Sequence, residues 1–354
     1  MEFILDIAEF LLQAVILLGV FLVAVAGLVS ITQRRRGSDE EGFIEAKSLN
    51  ERYDAQQEAI RSLVEEPASI KAREKANKKE KKEKQKAAKR ALKSPPDNDE
   101  ETFRPRLFVL DFEGDIQASQ VEQLREEISA ILPVAREADE VLVRLESGGG
   151  AVHGYGLAAS QLVRLTDAGI RLTVAVDKVA ASGGYMMACV ADYIIAAPFA
   201  IIGSIGVVAQ LPNFHRLLKK NDIDFEMHTA GEYKRTLTLF GENTDKAREK
   251  FQADIDDVHV MFKDFVSTSR PAVLIDEVST GEYWFGQRAL EKNLVDQLCT
   301  SDAFLLQRLE STDLIEVRFR AKRTWQERLG MAAEAAVESG FRKLLQSERD
   351  QRFL

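Results

Sequence analysis

Hydrophobic and polar positions divide the chain into three regimes. From Phe10 to Ile31 it reads FLLQAVILLGVFLVAVAGLVSI, with Gln13 the only strongly polar side chain. As a helix this run is about 33 Å long, enough to cross the hydrocarbon core of a bilayer. Ala24-Val25-Ala26 resembles a signal cleavage site, but Glu2, Asp6 and Glu9 precede the run without any Lys or Arg, unlike a secretory leader. A retained transmembrane anchor over residues 1–36, in contact with lipid through 10–31, is therefore predicted. Arg34, Arg35 and Arg36 follow at once, which by the positive-inside rule favours the cytoplasmic side of a bacterial-type inner membrane for the body, with the periplasmic side as the alternative. Residues 37–103 are dominated by Glu, Lys, Gln and Ala, offer little to bury, and read as a charged tether that Ser94-Pro95-Pro96-Asp97 closes.

After Pro105 the pattern changes to alternating strands and helices. LFVLDFE before Gly114 predicts a strand, and Ile116, Val121, Leu124, Ile128, Ile131 and Leu132 fall near helical spacing. Val141–Leu145, a helix over Tyr155–Ala168 closed by Gly169, and Leu172–Val176 continue the series. Strand, helix, strand, helix, strand is the pattern of stacked parallel βαβ units, so the fold class is α/β over residues 104–300. Val179–Leu211 is apolar enough to pass for a second span. Asp192, Pro198 and glycines 183, 184, 203 and 206 cut it into pieces too short to cross a membrane, which predicts a buried helix and short strands. A helix from Thr244 to about Ser269 presents Phe251, Ile255, Val258, Phe262 and Phe265 on one face. Residues 301–354 predict a strand and an amphipathic helix over Gly330–Leu345, suited to an oligomer contact.

Charge and cysteine content narrow the function. The formal charge is −9, yet Lys71–Lys93 holds twelve Lys or Arg against three Glu, a local +9, leaving −18 on the rest. An acidic body excludes general nucleic-acid binding, which draws its affinity from a positive field over phosphates. Cys189 and Cys299 cannot build a disulfide framework, and with four scattered histidines they give no metal-ligand spacing. No cofactor or metal is expected.

The chain has no GxSxG elbow. Ser182, in Ala180-Ala181-Ser182-Gly183-Gly184-Tyr185, stands where a strand meets an apolar helix and suits acyl transfer; an N-cap serine is the commoner use of such a sequence. Gly148-Gly149-Gly150 follows a strand end and could present a backbone N–H to an oxyanion, although most glycine triplets are only loops. Lys234, in Gly231-Glu232-Tyr233-Lys234-Arg235, would have to be an uncharged amine to act as a general base, a state that burial favours. His153 follows the glycine loop, but without an aligned acid a bystander role fits it better.

Together ESGGGAVHGYG, VAASGGY, IIGSIGV and GEYKRTL, in this order and spacing, resemble the signal peptide peptidase A family of membrane serine proteases, over about Arg106 to Leu298. The resemblance implies the crotonase-like fold shared with the Clp protease subunit and enoyl-CoA hydratases. It implies Ser182 as nucleophile, Lys234 as general base in a Ser-Lys dyad, Ser204 orienting the lysine, and Gly149 and Gly183 as oxyanion-hole amides. It further implies peptide substrates, signal-peptide remnants among them, and homo-oligomeric rings in which the lysine can come from the next subunit. Two departures stand out: Ser147-Gly148 replaces the family's Ser-Pro, and Asn293 replaces glycine before Leu294-Val295-Asp296. The rival functions are an acyl-CoA hydratase or isomerase on the same fold and a non-catalytic membrane scaffold.

Overall fold

The computed structural model describes residues 42–65, five isolated positions between 75 and 86, and residues 104–322. The predicted anchor over 10–31 and the terminal helix over 330–345 lie outside the described residues. Among the described residues no helix is long and apolar enough to cross a membrane. Ile44–Phe319 form one compact unit, which holds the core and the candidate site.

Its elements run β1 (Gly42–Ser48), α1 (Leu49–Val64), β2 (Arg106–Gly114), α2 (Val121–Ile131), β3 (Glu140–Ser147), α3 (Val152–Asp167), β4 (Arg171–Val176) and β5 (Val179–Ala181). There follow α4 (Gly183–Ala188), β6 (Tyr193–Ala196), β7 (Ile201–Gly203), α5 (His215–Lys220), α6 (Asp245–Ser269), α7 (Ile275–Val278) and β8 (Tyr283–Phe285). The last are α8 (Gly286–Glu291), β9 (Gln297–Leu298), α9 (Ser301–Arg308) and β10 (Asp313–Ala321). The sheet order is β1-β10-β2-β3-β4-β6-β9, and β5, β7 and β8 branch from the end of β3. From β10 through β9 the pairing is parallel, as the alternating pattern predicts.

Both faces of this sheet are covered, which explains the unbroken apolar run in β2. Phe108, Leu110 and Phe112 point to the side of α2, α3 and α4, while Leu107 and Val109 point to the side of Leu49, Phe304 and Leu305. Val179–Leu211 divides into β5, α4, β6 and β7, none longer than six residues.

Two expectations need correction. Ile116 lies before α2 and is 74% exposed, because the Asp115 carboxylate accepts the N–H groups of Gln117 and Ser119 and Ala118 takes φ 54°, delaying the helix to Val121. The stretch predicted as tether contains β1 and α1. Ser48 Oγ caps α1 through the Glu51 N–H, and Asn50 donates to the carbonyls of Leu309 and Thr312 and accepts the Leu314 N–H at 2.7 Å. Leu49 is the helix's only buried residue, so its periodicity is faint. The helix expected from Thr244 to about Ser269 forms as α6, capped by Thr244, and the expected face is its covered one: Phe262 is buried with Val266, and Phe251, Ile255, Val258 and Phe265 are half-buried.

Asp139 welds the start of β2 to the turn before β3. Its nearly inaccessible carboxylate accepts the Arg106 guanidinium and the backbone N–H groups of Arg106 and Arg136. Burial alone would raise its pKa; the Arg106 side chain and the two N–H groups outweigh burial and lower it. A depressed carboxylate stabilises the fold above its unfolded pKa of about 4, and that stability disappears as pH falls through the lower folded value. Asp139→Asn is expected to lose about 2 kcal/mol at pH 7 in urea unfolding, with the gap from wild type closing below about pH 4. A gap independent of pH would contradict this role.

Candidate active site

Strands β3, β5 and β7 run parallel, with Ser147 opposite Ala180 and Ala181 opposite Gly203. Their carboxyl ends, where parallel sheets place their sites, therefore bring the Ser147–Gly150 loop, Ser182 and Ser204 to one edge. Ser182 links β5 to α4 at φ 53° and ψ −119°, and its N–H donates to the Gly203 carbonyl at 2.7 Å. Its side chain makes no capping hydrogen bond, so the commoner N-cap use does not apply. Despite the missing GxSxG motif, the geometry is that of a strained strand-to-helix elbow carrying a half-buried serine.

Glycine is required all round this elbow. A Cβ on Gly149, which has φ +86°, would lie 2.8 Å from Ser182 Cβ and 2.7 Å from the Gly183 nitrogen. One on Gly183 would lie 2.4 Å from Tyr155 Cγ, and one on Gly184 2.5 Å from the Ser147 oxygen. Gly183 opens α4, so its N–H has no acceptor within the helix. The Gly149 N–H, by contrast, donates to Ser147 Oγ at 3.1 Å. Among the described residues it is the next amide, Gly150 N–H, that has no partner.

Ser204 also takes φ 53° and sits one strand from Ser182. Its N–H donates to the Glu282 carbonyl at 2.7 Å, and its hydroxyl makes only a long 3.5 Å contact to the Gly281 carbonyl. Among the described residues Lys234 makes no hydrogen bond to Ser182 or Ser204. It is exposed, and among the described residues its ammonium has no hydrogen-bond or ion-pair partner. The loop that carries it is moored to α6: Glu232 pairs with Lys246 at 2.5 Å, and the Tyr233 ring lies under Lys246 and Lys250. The arm between Val207 and Asn243 is mostly exposed, and Val208, Leu217 and Ile223 are more than half open to solvent. His153 is exposed in the first turn of α3 and has no partner among the described residues. Cys189 is no rival nucleophile: burial pushes its thiol up to about 12.

Comparison with known proteins assigns the family. Residues 2–162 match the N-terminal part of peptidase family S49, and residues 164–314 match peptidase family S49 itself. The probable protease SohB of Haemophilus influenzae is 51% identical over 335 residues, which cover 95% of this chain and 92% of that protein. The chain belongs to peptidase family S49. The probable protease SohB of Buchnera aphidicola subsp. Schlechtendalia chinensis is 68% identical over 204 residues, 58% of this chain and 67% of its own. Among solved structures, a mutant of the 1510-N membrane-bound stomatin-specific protease with a substrate peptide aligns at a TM-score of 0.39 and 11% identity, over 64% of this chain and 96% of that one.

Several residues packed around the candidate site escape motif reading. Tyr155 is fully buried; its hydroxyl donates to the Asp115 carbonyl at 2.8 Å and lies 2.6 Å from Ser147 Oγ. Burial raises its pKa against the opposing Ser147 bond, so it stays a protonated donor. Behind α4, Tyr185 donates to the Leu294 carbonyl, and Arg270 grips both oxygens of Asp296 at 2.8 and 2.9 Å and the Asn293 carbonyl. Asn293 has φ 59°, the left-handed conformation for which the glycine replacement prepares. The one signal for Tyr155 was its place in HGYG, eight residues after Ser147.

Proposed function

We propose that this S49 peptidase is a membrane-anchored serine endopeptidase that hydrolyses short or unfolded peptides, signal-peptide remnants among them, through Ser182 and Lys234. One observation carries the reading. Ser182 is a non-glycine residue held at φ 53° between strand and helix, with glycine backbone packed against it and no capping duty for its hydroxyl. Such strain persists only where the surroundings enforce it, and it turns a side chain away from the helix it would otherwise cap.

In the mechanism, the uncharged amine of Lys234 takes the Ser182 proton as Oγ attacks the peptide carbonyl carbon. The oxyanion is held by the Gly183 N–H and by the glycine loop, through Gly149 or, with its amide uncommitted, Gly150. Collapse breaks the C–N bond, and the leaving amine takes the proton from Lys234. Water deprotonated by the same amine then attacks the ester carbon, and as the acyl C–Oγ bond breaks Ser182 Oγ takes that proton back from Lys234 and the acyl chain leaves as its acid. Ser204 orients the lysine. Because Lys234 is exposed in one chain, the reading supposes a homo-oligomer in which a neighbouring subunit contributes and covers it; the exposed apolar side chains of its arm support that burial. Phe10–Ile31 would hold the body at the inner membrane, on the cytoplasmic side.

Detergent-purified full-length protein should cleave casein and short apolar peptides, spare a tightly folded protein, and show no hydration of a 2-enoyl-CoA. Folded, oligomeric protein that leaves every peptide intact would contradict the reading, and turnover of the thioester would favour the acyl-CoA rival.

A further inference from the structure

The donor and acceptor chain behind the glycine loop has only one possible direction. A carbonyl can only accept and an amide N–H can only donate, so the Gly149 N–H gives to Ser147 Oγ, the Ser147 hydroxyl gives to Tyr155 Oη, and the Tyr155 hydroxyl gives to the Asp115 carbonyl. Each hydroxyl donates once and accepts once, and every link is buried or half-buried. The same tyrosine reaches the other side of the site through its ring, against which the Gly183 α-carbon is pressed. A hydroxyl thus fixes the loop amides on one side of Ser182, and a ring fixes the helix amide on the other.

We propose that Tyr155 is a positioning residue for acyl transfer, holding the Gly150 and Gly183 amides at a set separation, the first through Ser147, which grips the adjoining Gly149 N–H, and the second through its ring against Gly183. The inference rests on the reading of Ser182 as nucleophile. Tyr155 touches no reacting atom. It acts because a donor displaced by a fraction of an ångström loses most of its grip on an oxyanion that forms only in the transition state.

Tyr155→Phe keeps the ring and removes the hydroxyl; Ser147→Ala breaks the same chain one link nearer the loop. Each is expected to lower kcat on a peptide amide about 10- to 100-fold with KM within about twofold, and the double variant to be little worse than the weaker single. Inhibition by a peptide aldehyde, whose adduct with Ser182 is tetrahedral, should weaken in step with kcat. Melting curves keep the test clear of folding, and should Tyr155→Phe fail to fold, Ser147→Ala carries it alone. A kcat within twofold of wild type in a folded variant, losses that simply add, or aldehyde affinity unchanged while kcat falls would each overturn the proposal. Ser182→Ala is the control: if it is inactive while Tyr155→Phe is fully active, only the positioning role fails, whereas a fully active Ser182→Ala removes the reading beneath it.

Discussion

Replacing Ser182 is expected to abolish peptide hydrolysis and, with glycine, to leave a more stable protein. Loss of the attacking oxygen should cost roughly 10^4- to 10^6-fold in kcat, the range seen when a nucleophile is removed from a serine protease. Stability should move the other way. At φ 53° and ψ −119° an L side chain is strained, and glycine is not, so Ser182→Gly relieves a penalty that Ser182→Ala retains. The glycine variant should be about 1 kcal/mol more stable than the alanine variant, reversing the usual order of these residues, and about 2–4 °C higher in Tm. An alanine variant as stable as the glycine one would mean that the elbow is not strained in solution.

Lys234→Met should be as inactive as Ser182→Ala, although Lys234 is exposed and no group among the described residues binds it. The second expectation follows from where the amine must come from. If it crosses a subunit boundary, mixing Ser182→Ala with Lys234→Met chains regenerates sites that combine one intact serine with one intact lysine. Random equimolar assembly into a ring should restore about a quarter of wild-type activity. Co-assembled chains without recovery would place serine and lysine in the same chain, and full activity of Lys234→Met alone would remove the lysine from the mechanism.

What could be read from the sequence was what depends on local chemistry. The apolar run of β2 and the punctuated segment Val179–Leu211 declared a buried parallel sheet, because a strand covered on both faces needs no polar alternation. Asn293 announced its left-handed backbone. The glycine triplet at 148–150 was legible as a possible close approach, though not what approaches it. Ser182 was ambiguous as a residue type, since capping and catalysis use the same serine; only its backbone angle and missing cap bond separate the two. The rest depends on partners distant along the chain. Tyr155 needs the Asp115 carbonyl forty residues away, α1 is docked through Asn50 by carbonyls more than 250 residues away, and Ile116 was lost to a side-chain turn that competes with the helix. Lys234 was legible as a residue of GEYKRTL, but the burial that the proposed mechanism asks of it is not encoded in that local pattern.

The most direct test is to map the adduct formed when the full-length oligomer is inactivated by a fluorophosphonate. The expected result is one modification per active subunit, on the tryptic peptide containing Ser182 and on that residue, in proportion to lost activity. Inactivation with the label on Ser204 or elsewhere, or complete labelling of Ser182 with hydrolysis intact, would contradict Ser182 as the attacking residue.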